Sequence, residues 1–409
     1  MILVQNHLRL LSGNKLWCLI FACFCLSACS PRIRTGKSPK KPAKETTQDK
    51  KEEKKFTEAG ITLMMPLKLN TVKATTGTKA DLEQSAMSLD FYQGFKMGID
   101  SAAAKGMNFK LTVLDTRDDD KHLGYLIGSD QLKGSNLIVG PVFPDGLKYM
   151  SAYSIQNDLP MVSPLAASQP AEFNNPNLIS LVNNIDLHAE KIGQFISKNY
   201  EPSRTEVVLI STKKPADELL AVPFRSYFTE GRGNLFHFSE YSSVFSMESQ
   251  MVAGKKYLVL VTSADRAFVV ATIDKLAKMK LNGSQLELFG HPNWSKQNYN
   301  TEKLQSLKTR ITTSYYVDYK NQDVIRFIRN YRRLNQLEPG EFAFKGFDTG
   351  YYFGMLFAAH GSSYLKYLTK TNYKGLQNSF HFIKDEKLGY INTSLFLLEF
   401  KNYALTPVE

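Results

Sequence analysis

The chain has 409 residues, 43% apolar and 22% charged; a single core stops growing near roughly 250–300 residues, so more than one domain is required. That composition excludes a disordered chain and a polytopic membrane protein. The net charge of +12 is local, since residues 31–55 hold ten Lys or Arg against four Asp or Glu and the body beyond them is near neutral, which excludes a nucleic-acid-binding domain. All four cysteines, Cys18, Cys23, Cys25 and Cys29, precede the body, so it holds no disulfide framework, zinc ribbon or thiol centre.

Arg9 and Lys15 lead into the apolar run Leu16–Leu26, as long as the core of an export signal and shorter than the ~20 residues of a membrane span. The run ends in Leu26-Ser27-Ala28-Cys29, which resembles the lipobox of bacterial lipoproteins. The resemblance implies a signal peptide over 1–28, cleavage before Cys29 and acylation of its thiol and new amine. It places the protein in the cell envelope, anchored to a bacterial membrane by lipid, with the folded body in the periplasm. Residues 29–57 read as the acylated Cys and a disordered basic tether, because Pro31, Pro39, Pro42 and ten basic residues cannot bury a core. No later segment is apolar enough to span a bilayer; Tyr257–Ile273 is broken by Asp265 and Arg266.

From Gly60 strands and helices alternate. Ile61–Met65 predicts a buried parallel strand ending at Pro66. Asp90–Ala104 predicts a helix with Phe91, Phe95, Ile99 and Ala102 on one face and Gly106 as its stop. Phe109–Leu114 reads as a strand, Leu123–Leu132 as a helix and Asn136–Val139 as a strand ended by Gly140-Pro141. Lys148–Gln156 reads as a helix and Leu159–Ser163 as a strand closed by Pro164. A second α/β unit follows: helix Asp186–Lys198 with Asp186 as N-cap, strand Glu206–Ile210, helix Ala221–Phe228, strand Tyr257–Val261, helix Asp265–Met279 and strand Leu286–Phe289. Arg326–Leu334 and Gly350–His360 read as further helices and Gly389–Phe400 as strand. Such alternation argues for doubly wound parallel sheets, and no repeat of fixed period suggests a solenoid.

Four pieces carry a resemblance: Ile61–Pro66 with Phe91-Tyr92-Gln93-Gly94-Phe95-Lys96-Met97-Gly98-Ile99-Asp100, Val139-Gly140-Pro141, Leu159–Ser168, and Phe347-Asp348-Thr349-Gly350-Tyr351. In that order they resemble type I periplasmic binding proteins of the leucine/isoleucine/valine-binding class, the substrate-binding lipoproteins of ABC transporters. The resemblance covers residues 60–409. It implies an α/β fold of two Rossmann-like lobes on parallel sheets, joined by three crossings, with ligand in the interlobe cleft. Residues 58–183 would form the N-terminal part of the first lobe and 184–311 the main part of the second. Residues 312–409 would return to the first lobe and complete the hinge and the second lobe. Closure would follow the hinge motion of periplasmic binding proteins.

The resemblance also implies the cleft loops: Pro66-Leu67, Val142-Phe143 and Ala166-Ala167-Ser168 on the first lobe, and Ser211-Thr212, Thr262–Asp265 and His291-Pro292-Asn293-Trp294 on the second. Val142, Phe143, Ala166, Ala167, Ser168, Thr212, Ser263, Asp265, His291 and Trp294 are the implied ligand-binding residues. Ser168 and nearby backbone amides would take a carboxylate, and Asp265 an ammonium. Some have a second reading: Trp294 as half-buried packing, His291 as structural, Asp265 as a helix N-cap. Asp118-Asp119-Asp120 fails the calcium-loop spacing and reads as a solvated turn. Nucleophile-elbow, zinc-protease and phosphate-loop patterns are absent, and Gly231-Arg232-Gly233 fails the dinucleotide pattern. The chain therefore reads as a non-enzyme without cofactor or metal.

Two functions are open at this point. One is a lipoprotein that captures a small polar solute, an amino acid or amide-like, and hands it to an ABC permease. The other is a regulatory or scaffold lipoprotein, resembling the activator of penicillin-binding proteins, whose partner is a cell-wall synthesis protein. A polar cleft favours the first and an apolar or filled cleft the second.

Overall fold

Strands that are apolar on both faces must be covered on both faces, which requires helices above and below a sheet. A computed structural model of the chain, describing residues 56–71 and 78–408, shows two such sandwiches. The expected signal peptide, Cys29 and the tether as far as residue 55 lie outside the described residues. Residues 55–409 form one compact unit.

The first lobe begins with β1 (Glu58–Met65), α1 (Lys79–Ala103), β2 (Asn108–Asp115) and α2 (Asp120–Gly128). It continues through β3 (Leu137–Val139), α3 (Pro144–Gln156), β4 (Met161–Ser163) and β5 (Leu178–Ser180). The second lobe runs α4 (Ile185–Asn199), β6 (Thr205–Ile210), α5 (Pro215–Thr229), β7 (His237–Tyr241), α6 (Val244–Glu248) and β8 (Lys256–Val261). After these come α7 (Arg266–Leu281), β9 (Gln285–Phe289), α8 (Thr301–Ser306) and β10 (Arg310–Thr313). The chain then returns with α9 (Gln322–Asn335) and α10 (Glu341–His360), the short pair β11 (Tyr373–Lys374) and β12 (Ser379–Phe380), and four last strands. These are β13 (Phe382–Asp385), β14 (Gly389–Asn392), β15 (Phe396–Lys401) and β16 (Ala404–Pro407).

Each main sheet has seven strands, ordered β13-β14-β5-β4-β3-β1-β2 and β16-β15-β10-β9-β8-β6-β7. Both are mostly parallel, as expected. The departures are at one edge of each: β13 runs antiparallel to β14, β15 to β10 and β16 to β15. The core follows the two-residue period of the strands. On β1, Ile61, Leu63 and Met65 pack with Phe91, Phe95 and Phe353, while Met64 faces Leu123 and Leu147 on the other side. On β6, Val208 and Ile210 join one layer and Val207 and Leu209 the opposite one.

Several expectations shift. The N-cap of α4 is Asn184, whose side chain accepts from Leu187 N at 3.2 Å; Asp186 sits in the first turn, where its charge suits the positive helix end. The first helix begins at Lys79, ahead of the expected Asp90, and α10 at Glu341, ahead of Gly350. The single strand expected over Gly389–Phe400 is two strands in different sheets, β14 and β15. Phe56, placed in the expected tether, stacks on Phe357 with ring centroids 6.2 Å apart.

Helices α1 and α10 approach with backbones in contact. A Cβ on Gly94 would lie 1.9 Å from Ala343 O and one on Gly98 2.4 Å from Phe347 O. From the other side, Gly346 faces Phe91 O at 2.1 Å and Gly350 faces Phe95 O at 2.4 Å. Two glycine pairs, each four residues apart, thus interlock and seat α10 against the first lobe.

Candidate functional site

The loops that leave the carboxyl ends of the strands meet between the lobes, where ligands of open α/β sheets bind. They enclose a cleft of about 400 Å³ lined from both lobes. The first-lobe wall comes from the turns after β3 and β4. Gly140 takes φ +99°, and a Cβ there would lie 2.1 Å from Met64 O, so only glycine lets this turn bend beside β1. Val142, Phe143 and Pro144 follow, with Leu165, Ala166 and Ala167 from the turn after β4. Of the implied first-lobe residues, Val142, Phe143, Ala166 and Ala167 line the cleft; Ser168 is half-buried just beyond the lining.

The second-lobe wall is the turn after β9, where Pro292, Asn293, Ser295 and Lys296 face the cleft. His291 caps that turn, its Nδ1 accepting from Asn293 N at 3.0 Å, and burial lowers its pKa to about 4 against a modest upward pull from Asp217. Trp294 is fully buried, donates its indole N–H to Ser263 O at 2.9 Å and takes Tyr299 edge-on. It therefore holds the turn to the next loop. Thr212 donates to Asp217 Oδ2 at 2.5 Å. Ser263 is buried and its Oγ accepts from Asp265 N at 3.2 Å. Asp265 caps α7 through Phe268 N at 2.9 Å. None of Thr212, Ser263, Asp265, His291 and Trp294 lines the cleft.

Other residues do. Met87 of α1 and Glu341, Phe342 and Lys345 of α10 line it, as do Asn183 and His188 near the first crossing and Thr313, Ser314 and Tyr315 on the second. Lys345 is 5% exposed; its Nζ lies 2.7 Å from Glu341 Oε2 and over the rings of Tyr315 and Phe342. Burial pushes the Lys345 ammonium down and Glu341 pulls it back only in part. Burial would raise Glu341, but the hydrogen bond and charge of Lys345 outweigh it and leave the carboxyl low. His188 shares a 2.9 Å hydrogen bond between Nδ1 and Thr312 Oγ1, and burial first, then the positive form of His291, lowers its pKa to about 3. It is neutral at any physiological pH.

The crossings are tied together beneath the cleft. Asn183 Nδ2 donates to Asn392 O at 2.7 Å, and Asn392 Nδ2 returns a bond to Leu181 O at 2.8 Å. Tyr316 N donates to Gln377 O at 3.0 Å. The segment carrying Gln377 is held by Asp348, wholly buried in α10, which accepts from Leu376 N, Gln377 N, Asn378 N and Tyr373 Oη. Burial raises its pKa to about 6, although all four bonds favour the carboxylate. Asn183 Oδ1 is buried and has no hydrogen-bond partner among the described residues. Among the described residues no three His, Cys, Asp or Glu gather as a metal site, and no helix is long and apolar enough to cross a membrane.

No family model and no curated protein matches the chain. Solved structures do. A putative branched-chain amino acid ABC transporter protein from Rhodospirillum rubrum is 14% identical with a TM-score of 0.62, over 86% of this chain and 100% of that one. An ABC transporter substrate-binding protein from Sphaerobacter thermophilus is 15% identical at 0.54, over 86% and 97%. One from Desulfitobacterium hafniense, solved with leucine, is 13% identical at 0.53, over 86% and 100%. At these identities the likeness is one of fold.

Proposed function

We infer, from the type I periplasmic-binding fold of this chain, that its cleft captures a small solute between the lobes for an ABC permease. The observation that carries this reading is the cleft of about 400 Å³ between the lobes, which sets Asn183, Lys296, Glu341 and Lys345 among apolar side chains. A few polar groups set in an otherwise apolar cavity are what orient small ligands. The lipobox-like Leu26–Cys29 supports a lipid anchor that keeps the body at the envelope membrane.

The apolar first-lobe wall, Val142, Phe143, Ala166 and Ala167, favours the scaffold reading, in which this face meets protein. Thermal denaturation of the full-length protein against a panel of amino acids, amides, organic acids and amines separates the two. Solute binding at a hundredfold excess over Kd stabilises by about 2.7 kcal/mol and raises the midpoint. A flat response across the panel would leave the scaffold reading alone.

A further inference from the structure

Two lysines face the cleft from opposite lobes, Lys296 on the turn after β9 and Lys345 on α10. Lys345 is buried against Tyr315 and Phe342 with Glu341 as its counter-ion. Lys296 is exposed and has no ion pair among the described residues, yet its charge acts on both Glu341 and Lys345. Glu341 is the one carboxylate among the residues lining the cavity. One carboxylate against two ammonium groups leaves an uncompensated positive charge. Lobe closure would strip water from it and raise its cost, unless an anion enters with it.

The other acidic groups near this region are engaged. Asp265 caps α7 and Asp217 accepts from Thr212, and neither lines the cavity. A ligand ammonium therefore finds no free carboxylate and meets two like charges. Val142, Phe143, Leu165 and Phe342 offer an apolar wall.

We propose that the cleft selects a small monoanionic acid with an apolar body and no ammonium group, and discriminates against zwitterions. The acid group lies between Lys296 and Lys345, and the apolar body lies against Val142, Phe143, Leu165 and Phe342. This rests on the solute-binding reading above and narrows it.

The test uses the full-length protein and calorimetry with matched probes: leucate, leucine, leucinol and isocaproate, then phenyllactate, phenylalanine and phenylalaninol. Each hydroxy acid is expected to bind at least about tenfold tighter than its amino acid. Leucinol and phenylalaninol should not bind, whereas isocaproate, which keeps the carboxylate and apolar body and lacks the ammonium, should bind more tightly than leucine. Lys345→Gln puts the buried ion pair at risk, so the deciding variant is the exposed Lys296→Gln. It should keep the wild-type melting midpoint and lose about ten- to a hundredfold in affinity for the hydroxy acid. Tighter binding of an amino acid or amino alcohol, or an unchanged affinity in Lys296→Gln, overturns the charge assignment while leaving solute capture intact. No binding by any probe, together with a flat thermal panel, overturns both.

Discussion

Glu287, on β9 of the second-lobe sheet, is a buried acid surrounded by donors. Lys256 Nζ lies 2.7 Å from Oε1, Arg310 Nη1 2.7 Å from Oε2, and the Tyr200 hydroxyl also bonds Oε2. Burial would push this carboxyl up, but the bonds from Lys256, Tyr200 and Arg310 hold it at about 2. The folded value thus lies below the unfolded one, so its contribution is complete above the unfolded value and is lost as pH falls. Urea denaturation should show stability declining between about pH 5 and pH 2. Glu287→Gln should flatten that decline and cost about 1–3 kcal/mol at neutral pH, since it removes the carboxylate from Lys256 and one of two from Arg310, which keeps Glu399 at 2.7 Å. A pH slope unchanged by the variant would remove Glu287 as its source. This cluster was hidden in the sequence, because Tyr200, Lys256, Glu287 and Arg310 lie on different elements with no spacing to connect them. The cleft lysines were hidden for a related reason: Lys345 precedes Gly350, where the apolar pattern of the late helix first becomes clear.

At the scale of elements, the interlocked helices α1 and α10 make the sharpest demand. Gly350→Ala would set a methyl 2.4 Å from Phe95 O, a backbone atom that cannot swing aside, so the helices must part. Overpacking of this kind costs roughly 1–3 kcal/mol. Gly128→Ala is the matched control: it ends α2, is exposed and has nothing within 4 Å of its Cβ position, so stability should hold or rise by about 0.4–1 kcal/mol. Equal effects of the two substitutions in chemical denaturation would contradict this packing. Strands such as β6 and β8 were legible because burial on both faces writes a continuous apolar run into the sequence. The half-exposed edge strand β7 and the three-residue β5 leave no such run. The cleft loops were legible only where a strand end and a proline marked them, as at Val142 and Ala166.

For the whole molecule, the hinge depends on Asn392. Its amide donates to Leu181 O and Ser379 O and accepts from His381 N and Ser394 N, joining the last crossing to the first. Asn392→Ala would take the side-chain donor from the buried Leu181 O and the partners from the partly exposed Ser379 O, His381 N and Ser394 N, and a loss of about 1–3 kcal/mol is expected in denaturant melts. A loss below about 0.5 kcal/mol, the size of an ordinary surface change, would show that the crossings are held by other means. That the last segment serves both lobes was implied by the resemblance, whereas the point at which it splits, between β14 in one sheet and β15 in the other, was not read, since strand pairing partners are not written locally.

That split has a consequence for how the protein is made. Asn183 and Asn392 bond across 209 residues of chain, and β5, near the end of the first run of strands, waits for β14 to cover its open edge. Synthesis from the N-terminus therefore leaves an incomplete sheet exposed until Gly389–Asn392 has emerged. Closing such distant pairs is slow, and an open strand edge invites pairing with other chains. A nascent chain of this design is best kept from folding until it is whole.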